Sequence, residues 1–301
     1  LNQEQTYGSG VALALMATVG WSLSGLFVRL MPGLTGWQIN CWRALFMALA
    51  LIVWLLIRYR GEVWSKVAEV PPVALLAGAT FFSLGSTMYV TALTYASTAN
   101  VACLAATAPL LTAVLSRFMN GETPSRATWF ASVLALCGVA YIVRDGLEAG
   151  NLLGNVIALC YTASWAIQVN VLRRYRHVDM MPAMILGGLA VFVVAGLFGG
   201  GFNVGTDNIQ MLAVMGLVQL AVPVILFARS ARSIPAVVAS LIVLLDVVLN
   251  PLWSWLGAGE VPDPRDAIGG GIIVSAVVIS VLYGQRSAQV NVRARARHGA
   301  V

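Results

Sequence analysis

Two charged residues stand where a charge is costly. Arg43 and Asp246 each lie deep within an apolar run of this 301-residue sequence, and a charged group at the centre of a bilayer costs at least about 2.5–3.5 kcal/mol on insertion scales unless it meets water or a partner. Both must therefore face a bundle interior, a watered cavity or each other. One reading makes Asp246 a proton-coupling site that cycles between protonated and ionised forms. The other makes it half of a buried ion pair, or a helix cap, that fixes packing. Further polar and aromatic residues have no reason to face lipid: Trp21, Tyr89, Asn100, Thr107, Trp165, Gln168, Gln219, Ser240 and Asn250. Aromatic rings offer flat apolar walls, and amides or hydroxyls hold the amino and carboxylate groups of a zwitterion, so together they point to a substrate cavity. Each one alone is better explained by helix packing or an interhelical hydrogen bond. Gly85 and Pro223 weaken a helix, one through backbone freedom and the other through a missing donor. At matching places in two spans they mark interrupted helices and candidate hinges; the competing reading is close packing at Gly85 and a static kink at Pro223.

The elements that must position these residues are membrane spans. Hydrophobic residues make up 59% of the chain and charged residues 10%, against roughly a quarter charged in a soluble domain, and mean hydropathy is +0.84. Apolar runs long enough to cross a bilayer fall near 10–30, 36–57, 72–93, 98–117 and 126–143, and again near 152–172, 180–199, 208–228, 235–256 and 267–284. The first of them reads as a span and not as a signal peptide, because no basic leader precedes it. Of the 18 Lys and Arg residues, 14 fall on one side when the N-terminus is placed inside, three fall on the other, and Arg43 lies within a span. That bias puts both termini in the cytoplasm of a bacterial inner membrane. The basic tail, 286–301, reads as a disordered, solvated segment near anionic headgroups.

The two halves repeat. Gly10, Trp21 and Arg29 match Gly154, Trp165 and Arg173 at an offset of 144, and Gly78, Gly85 and Glu122 match Gly216, Pro223 and Glu260 at an offset of 138. With five spans per half, the second must be inserted upside down. The expected fold is therefore all-α and integral to the membrane, with ten transmembrane helices arranged as two inverted five-helix repeats around a central cavity. The expected divisions are 8–145, 150–285 and the tail.

These halves resemble EamA-type transporters of the drug/metabolite transporter superfamily. The resemblance rests on the Gly121-Glu122 and Gly259-Glu260 loops, each before a final glycine-rich helix, and on the stretches Ala92 to Asn100 and Ala106 to Pro109. Within that superfamily the chain is most similar to YddG-type aromatic amino-acid exporters. The resemblance implies a ten-helix basket around a central cavity, export from the cytoplasm and no cofactor. Asp246 departs from the repeat, standing where Ala108 stands in the first half, so no family coupling mechanism is carried onto it.

Other function classes lack their residues. His177 and His298 lie in a loop and the tail, which excludes a histidine proton relay within the spans, and there is no paired-carboxylate or Ser/His constellation for an integral-membrane enzyme. No phosphate-binding loop of the GxxxxGKS kind is present, so ATP is not the direct energy source. Cys41, Cys103, Cys137 and Cys160 show no CxxC spacing and read as small core residues, not as a metal or disulfide site. The net charge of +6 follows membrane topology and implies no nucleic acid. The leading expectation is a secondary exporter of small amphiphilic metabolites, aromatic or other neutral amino acids first, working in the bilayer by alternating access, for which a monomer suffices. An exporter or exchanger of drugs, sugar nucleotides or other metabolites is the alternative. Phosphate-bearing substrates would call for several cavity cations, and only Arg43 is available.

Overall fold

The computed structural model describes residues 3–96, 98–144, 152–259 and 264–298, and every regular element among them is helical. Ten helical stretches are long and apolar enough to cross a membrane: Thr6–Arg29, Gly36–Ala68, Pro72–Tyr95, Asn100–Met119, Arg126–Val143, Leu152–Arg174, Met181–Gly199, Asn208–Ser230, Ala236–Gly257 and Ala267–Gly284. They are called spans one to ten below. The expected count and placement are met. Short turns join the spans, so successive helices run antiparallel and the bundle has two ends. The basic end carries the connections after spans two, four, six and eight; the opposite end carries the connections after the odd-numbered spans.

Packing shows the repeat directly. Span three packs on span six and span one on span eight; span two packs on spans seven and eight, span three on span seven, and span five on span ten. Exchanging the halves turns three–six into eight–one and three–seven into eight–two, while two–seven and five–ten map onto themselves. Glycines perform the same task on both sides of this exchange. A Cβ on Gly10 would lie 2.7 Å from Ser233, and one on Gly154 would lie 2.7 Å from the backbone of Tyr95; Tyr95 and Ser233 are themselves related by the offset of 138. Likewise Gly78 admits Ala183 of span seven, and Gly216 admits the Arg43 carbonyl of span two. Only a hydrogen lets these backbones approach so closely.

The two spans expected to be interrupted differ from each other. Span three runs as one helix, Pro72–Tyr95, without the interruption expected at Gly85. Span eight is irregular: a π-helical segment, Met215–Ala221, leads into Val222–Ser230, with Pro223 in the first turn. Proline cannot donate to the carbonyl four residues earlier and its ring collides with it, and a wider turn relieves that collision. A single glycine surrounded by good packing leaves helical hydrogen bonding intact. The paired discontinuities lie instead in spans four and nine. Span four is split into Thr98–Ala105 and Ala108–Met119, span nine into Ala236–Val243 and Asp246–Ala258. At each junction the bonds shorten to the i−3 pattern, as in Thr107 N to Leu104 O and Val247 N to Leu244 O. Ala108 and Asp246, the first residues of the second segments, are repeat equivalents.

The tail expected to be disordered continues the last helix, Pro264–His298. Its alanines, arginines and glutamine are strong helix formers, which accounts for the difference. Cys41 is buried and Cys103 is half-buried, but Cys137 and Cys160 are exposed on the outside of the bundle, where the neighbour would be lipid and a small apolar thiol is equally at home. The expected match of Glu260 to Glu122 falls on a residue outside those described.

Candidate substrate cavity and its closed end

Arg43 is held in place from its own helix. Its Nε and Nη2 donate to Asn40 Oδ1 at 3.2 and 2.9 Å. Asn40, fully buried one turn earlier, is fastened to span three by Ser86, whose Oγ donates to the same Asn40 oxygen at 2.8 Å and whose carbonyl accepts from Asn40 Nδ2 at 3.3 Å. The guanidinium keeps donors to spare. Tyr89 of span three and Tyr161 of span six stack at 5.1 Å between ring centroids, tilted by 53°. Both phenols lie within electrostatic reach of Arg43 and of Asp246. Tyr89 is 37% exposed. Arg43, Tyr161 and Asp246 are also partly exposed.

Asp246 stands at the start of the second segment of span nine. Its Oδ1 is buried without a hydrogen-bond partner. Among the described residues neither Arg43 nor Asp246 forms an ion pair, so the expected option that they meet each other is not realised. Arg43 and Asp246 thus lie within electrostatic reach of one aromatic pair without pairing with each other.

The remaining expected cavity residues divide. The repeat equivalents Trp21 and Trp165 meet, with centroids 5.6 Å apart, and Phe227 closes the triangle at 5.1 and 5.6 Å. Four expected liners are packing residues in this conformation. Gln168 is 3% exposed with its amide on the Met184 sulfur, and Gln219 is 3% exposed with its amide on the Trp21 carbonyl. Ser240 accepts from Thr112 in a fully buried contact, and Asn100 is buried beside Asn155. Burial leads most polar groups in a bundle to bond their neighbours, although the Gln168 and Gln219 amide oxygens are buried without a partner. Thr107 turns its hydroxyl onto the Leu104 carbonyl at the junction in span four, and Asn250 reaches Ser24 of span one. Trp253, expected as an interface anchor, donates instead to Ser22 at 2.8 Å. Sequence reading missed Tyr161, Asn40 and Phe227. Tyr161, Trp165 and Gln168 are spaced by four and three residues, so helical periodicity alone carried the signal for Tyr161.

At the basic end a charged lock ties several connections together. Arg173 Nε donates to Glu122 Oε1 at 2.6 Å and its Nη1 donates to the Ala231 carbonyl at 2.8 Å. The second Glu122 oxygen accepts from Ser116 Oγ at 3.0 Å and from the Ala236 amide at 3.4 Å. Asn120 Nδ2 donates to Asn170 Oδ1 at 2.7 Å, and Arg174 donates to the Met119 carbonyl. One carboxylate thereby joins the turn after span four, the end of span six and the start of span nine.

Ten spans in two inverted halves, tied together at one end by an ion pair and holding Arg43, Asp246 and aromatic rings within the bundle, fit a membrane transporter. The profile of the EamA-like transporter family matches residues 8–144 and 148–282, and the chain belongs to that family. The pseudopaline exporter CntI of Pseudomonas aeruginosa is 25% identical over 279 residues, covering 90% of this chain and 95% of that protein. The uncharacterized transporter YdfC of Bacillus subtilis is 24% identical over 186 residues, 60% of this chain; the match spans only 61% of YdfC's own length. A protein known from its crystal structure, 18% identical, superposes with a TM-score of 0.81 over 93% of this chain and 99% of that one, a likeness of fold. The protein is a multi-pass membrane transporter.

Proposed function

We propose that this transporter exports small zwitterionic metabolites, aromatic and other neutral amino acids first among them, as the YddG-like resemblance implies, by alternating access from a cytoplasm that holds both termini. The observation that carries this reading is that Arg43 and Asp246, which do not pair with each other, both lie within electrostatic reach of the stacked Tyr89 and Tyr161. A zwitterion offers each of them its complement. The carboxylate lies against Arg43, the ammonium against the open oxygen of Asp246, and an aromatic or aliphatic side chain against the tyrosines. Binding then replaces the water that each charge would otherwise need at depth.

The name of the relative CntI supports export of a metabolite as the general task. A single interior guanidinium disfavours substrates bearing several phosphates. Movement is assigned to rocking of the repeats, with the regions of Gly85 and Pro223 and the repeat-related junctions of spans four and nine as the places that yield.

The test is uptake of labelled phenylalanine and tryptophan into proteoliposomes, with and without a pH gradient, in wild type and Asp246→Asn. Saturable uptake that follows the gradient and loses that dependence in the variant supports zwitterion transport coupled through Asp246. Uptake indifferent to the gradient, and unchanged in the variant, removes Asp246 from coupling and leaves a facilitator. Absence of amino-acid transport with retained transport of other metabolites overturns the substrate assignment.

A further inference from the structure

Away from the cavity, at the basic end, four guanidiniums converge on one indole. Arg58 at the end of span two and Arg229 near the end of span eight each place Cζ 5.4 Å from the centre of the Trp54 ring. Arg176, in the turn after span six, and Arg232, after span eight, line the same cleft. One carboxylate, Asp179, lies among them, and it is already committed. Its Oδ2 accepts from the Tyr59 hydroxyl at 2.7 Å and its Oδ1 from the Met181 amide at 3.0 Å.

Among the described residues none of the four arginines forms an ion pair. Arg232 uses one nitrogen on the Val178 carbonyl, at 3.4 Å. Like charges gathered in one cleft repel unless an anion joins them. Stacking on Trp54 holds two of the planar forks in place, so a tetrahedral oxyanion meets donors that are already oriented.

The surroundings select the kind of anion. On the helix that brings Trp54 and Arg58 into the cleft, Val53, Leu56 and Ile57 are 54%, 53% and 72% exposed. An anion with an apolar tail satisfies both surfaces, whereas a soluble ion satisfies only the cleft. Basic pockets between helices at a membrane face suit a phosphate headgroup. We propose that the cleft formed by Arg58, Arg176, Arg229 and Arg232 around Trp54 is a binding site for the phosphate headgroup of an anionic phospholipid. The site joins span two of the first repeat to span eight of the second. A lipid seated there ties the two repeats together at the basic end and favours whichever conformation holds the four arginines at this spacing.

The experiment uses the full chain purified in detergent, titrated with dioctanoyl phosphatidylglycerol, dioctanoyl phosphatidylcholine and inorganic phosphate, with bound lipid counted by native mass spectrometry. Wild type is compared with the double variant Arg229→Gln, Arg232→Gln. Saturable phosphatidylglycerol binding that weakens about thirty-fold in the double variant is expected, from about 1 kcal/mol per basic residue near an anionic headgroup. Phosphatidylcholine should bind far less. If inorganic phosphate competes at the same concentration as the lipid, the site is one for a soluble anion and the lipid assignment falls. It falls equally if the double variant binds phosphatidylglycerol as wild type does. Should the double variant fail to elute as a single species, brominated phosphatidylglycerol decides the matter: wild type loses the fluorescence contributed by Trp54 and Trp54→Phe shows less quenching, whereas equal quenching in the two overturns the proposal.

Discussion

At the scale of single residues, Arg43 and Asp246 differ in how firmly they are held. Asn40 and Ser86 fix the guanidinium before any substrate arrives, while Asp246 keeps a buried oxygen open. On the proposed reading the two ends of a zwitterion are bound by different residues, and analogues separate them. Wild type should favour phenylalanine over phenethylamine, which lacks the carboxylate, and over N-acetylphenylalanine, which lacks the ammonium. Arg43→Gln should lose most of its preference against phenethylamine, a loss of roughly ten- to a hundredfold if one charge-assisted hydrogen bond of about 1.5–3 kcal/mol is removed. Its preference against the acetylated compound should stand. Asp246→Asn should show the reverse pattern. Competition of each analogue against labelled phenylalanine measures this, and equal loss of both preferences in either variant would show that the charges act on shape and not on the ligand's ends.

At the scale of elements, the matching contacts of spans one and eight, and six and three, make a sharper test than either hinge residue alone. Positions 20 and 164 are repeat equivalents, as are 85 and 223. A Cβ on Gly20 would lie 2.4 Å from Pro223 Cγ, whereas a Cβ on Gly85 would lie 3.8 Å from the Ser164 Cβ. The bulky and small partners have changed sides between the repeats. Gly20→Ala should thus cost about 1–3 kcal/mol through overpacking, and Gly85→Ala should be neutral or stabilise by up to about 1 kcal/mol through helix propensity. Thermal unfolding of the detergent-purified variants distinguishes them; a harmless Gly20→Ala would mean that span eight shifts freely at its π-helical turn. The spans themselves and their repetition were legible in the sequence because bilayer thickness and backbone satisfaction leave few choices. Gly85 was misleading because glycine weakens a helix only where tertiary packing lets it. The junction of span nine, at Leu244 and Leu245, carries no proline or glycine and so left no local signal. It became visible only as the counterpart of Thr107. Gln168 and Gln219 were misplaced for a related reason: a polar residue in a span must turn from lipid, but the sequence does not say whether it turns to a cavity or to a neighbouring helix.

At the scale of the molecule, a transporter that alternates must release whichever end is closed. At the basic end the lock is concentrated in Glu122 and Arg173, whose side chains are only 23% and 12% exposed and whose bonds reach three connections at once. Removing one member leaves the other partly buried and unpaired, at a cost larger than that of an exposed pair. Glu122→Gln and Arg173→Gln should therefore each shift the population towards opening at the basic end. The repeat places Arg29 and Glu260 as the sequence counterparts of Arg173 and Glu122 at the other end, so exchange of one lock for the other is the movement expected of inverted halves. A single cysteine at Asn170, which is fully buried beside Asn120, reports the opening when the native cysteines are replaced. Its labelling by a water-soluble maleimide should rise several-fold in Glu122→Gln and in Arg173→Gln. In the charge-reversed pair Glu122→Arg with Arg173→Glu it should return towards the unmodified rate. If neither single substitution raises labelling, closure rests on the Trp21, Trp165 and Phe227 cluster beneath the lock, and the ion pair serves only to order the turns that carry it.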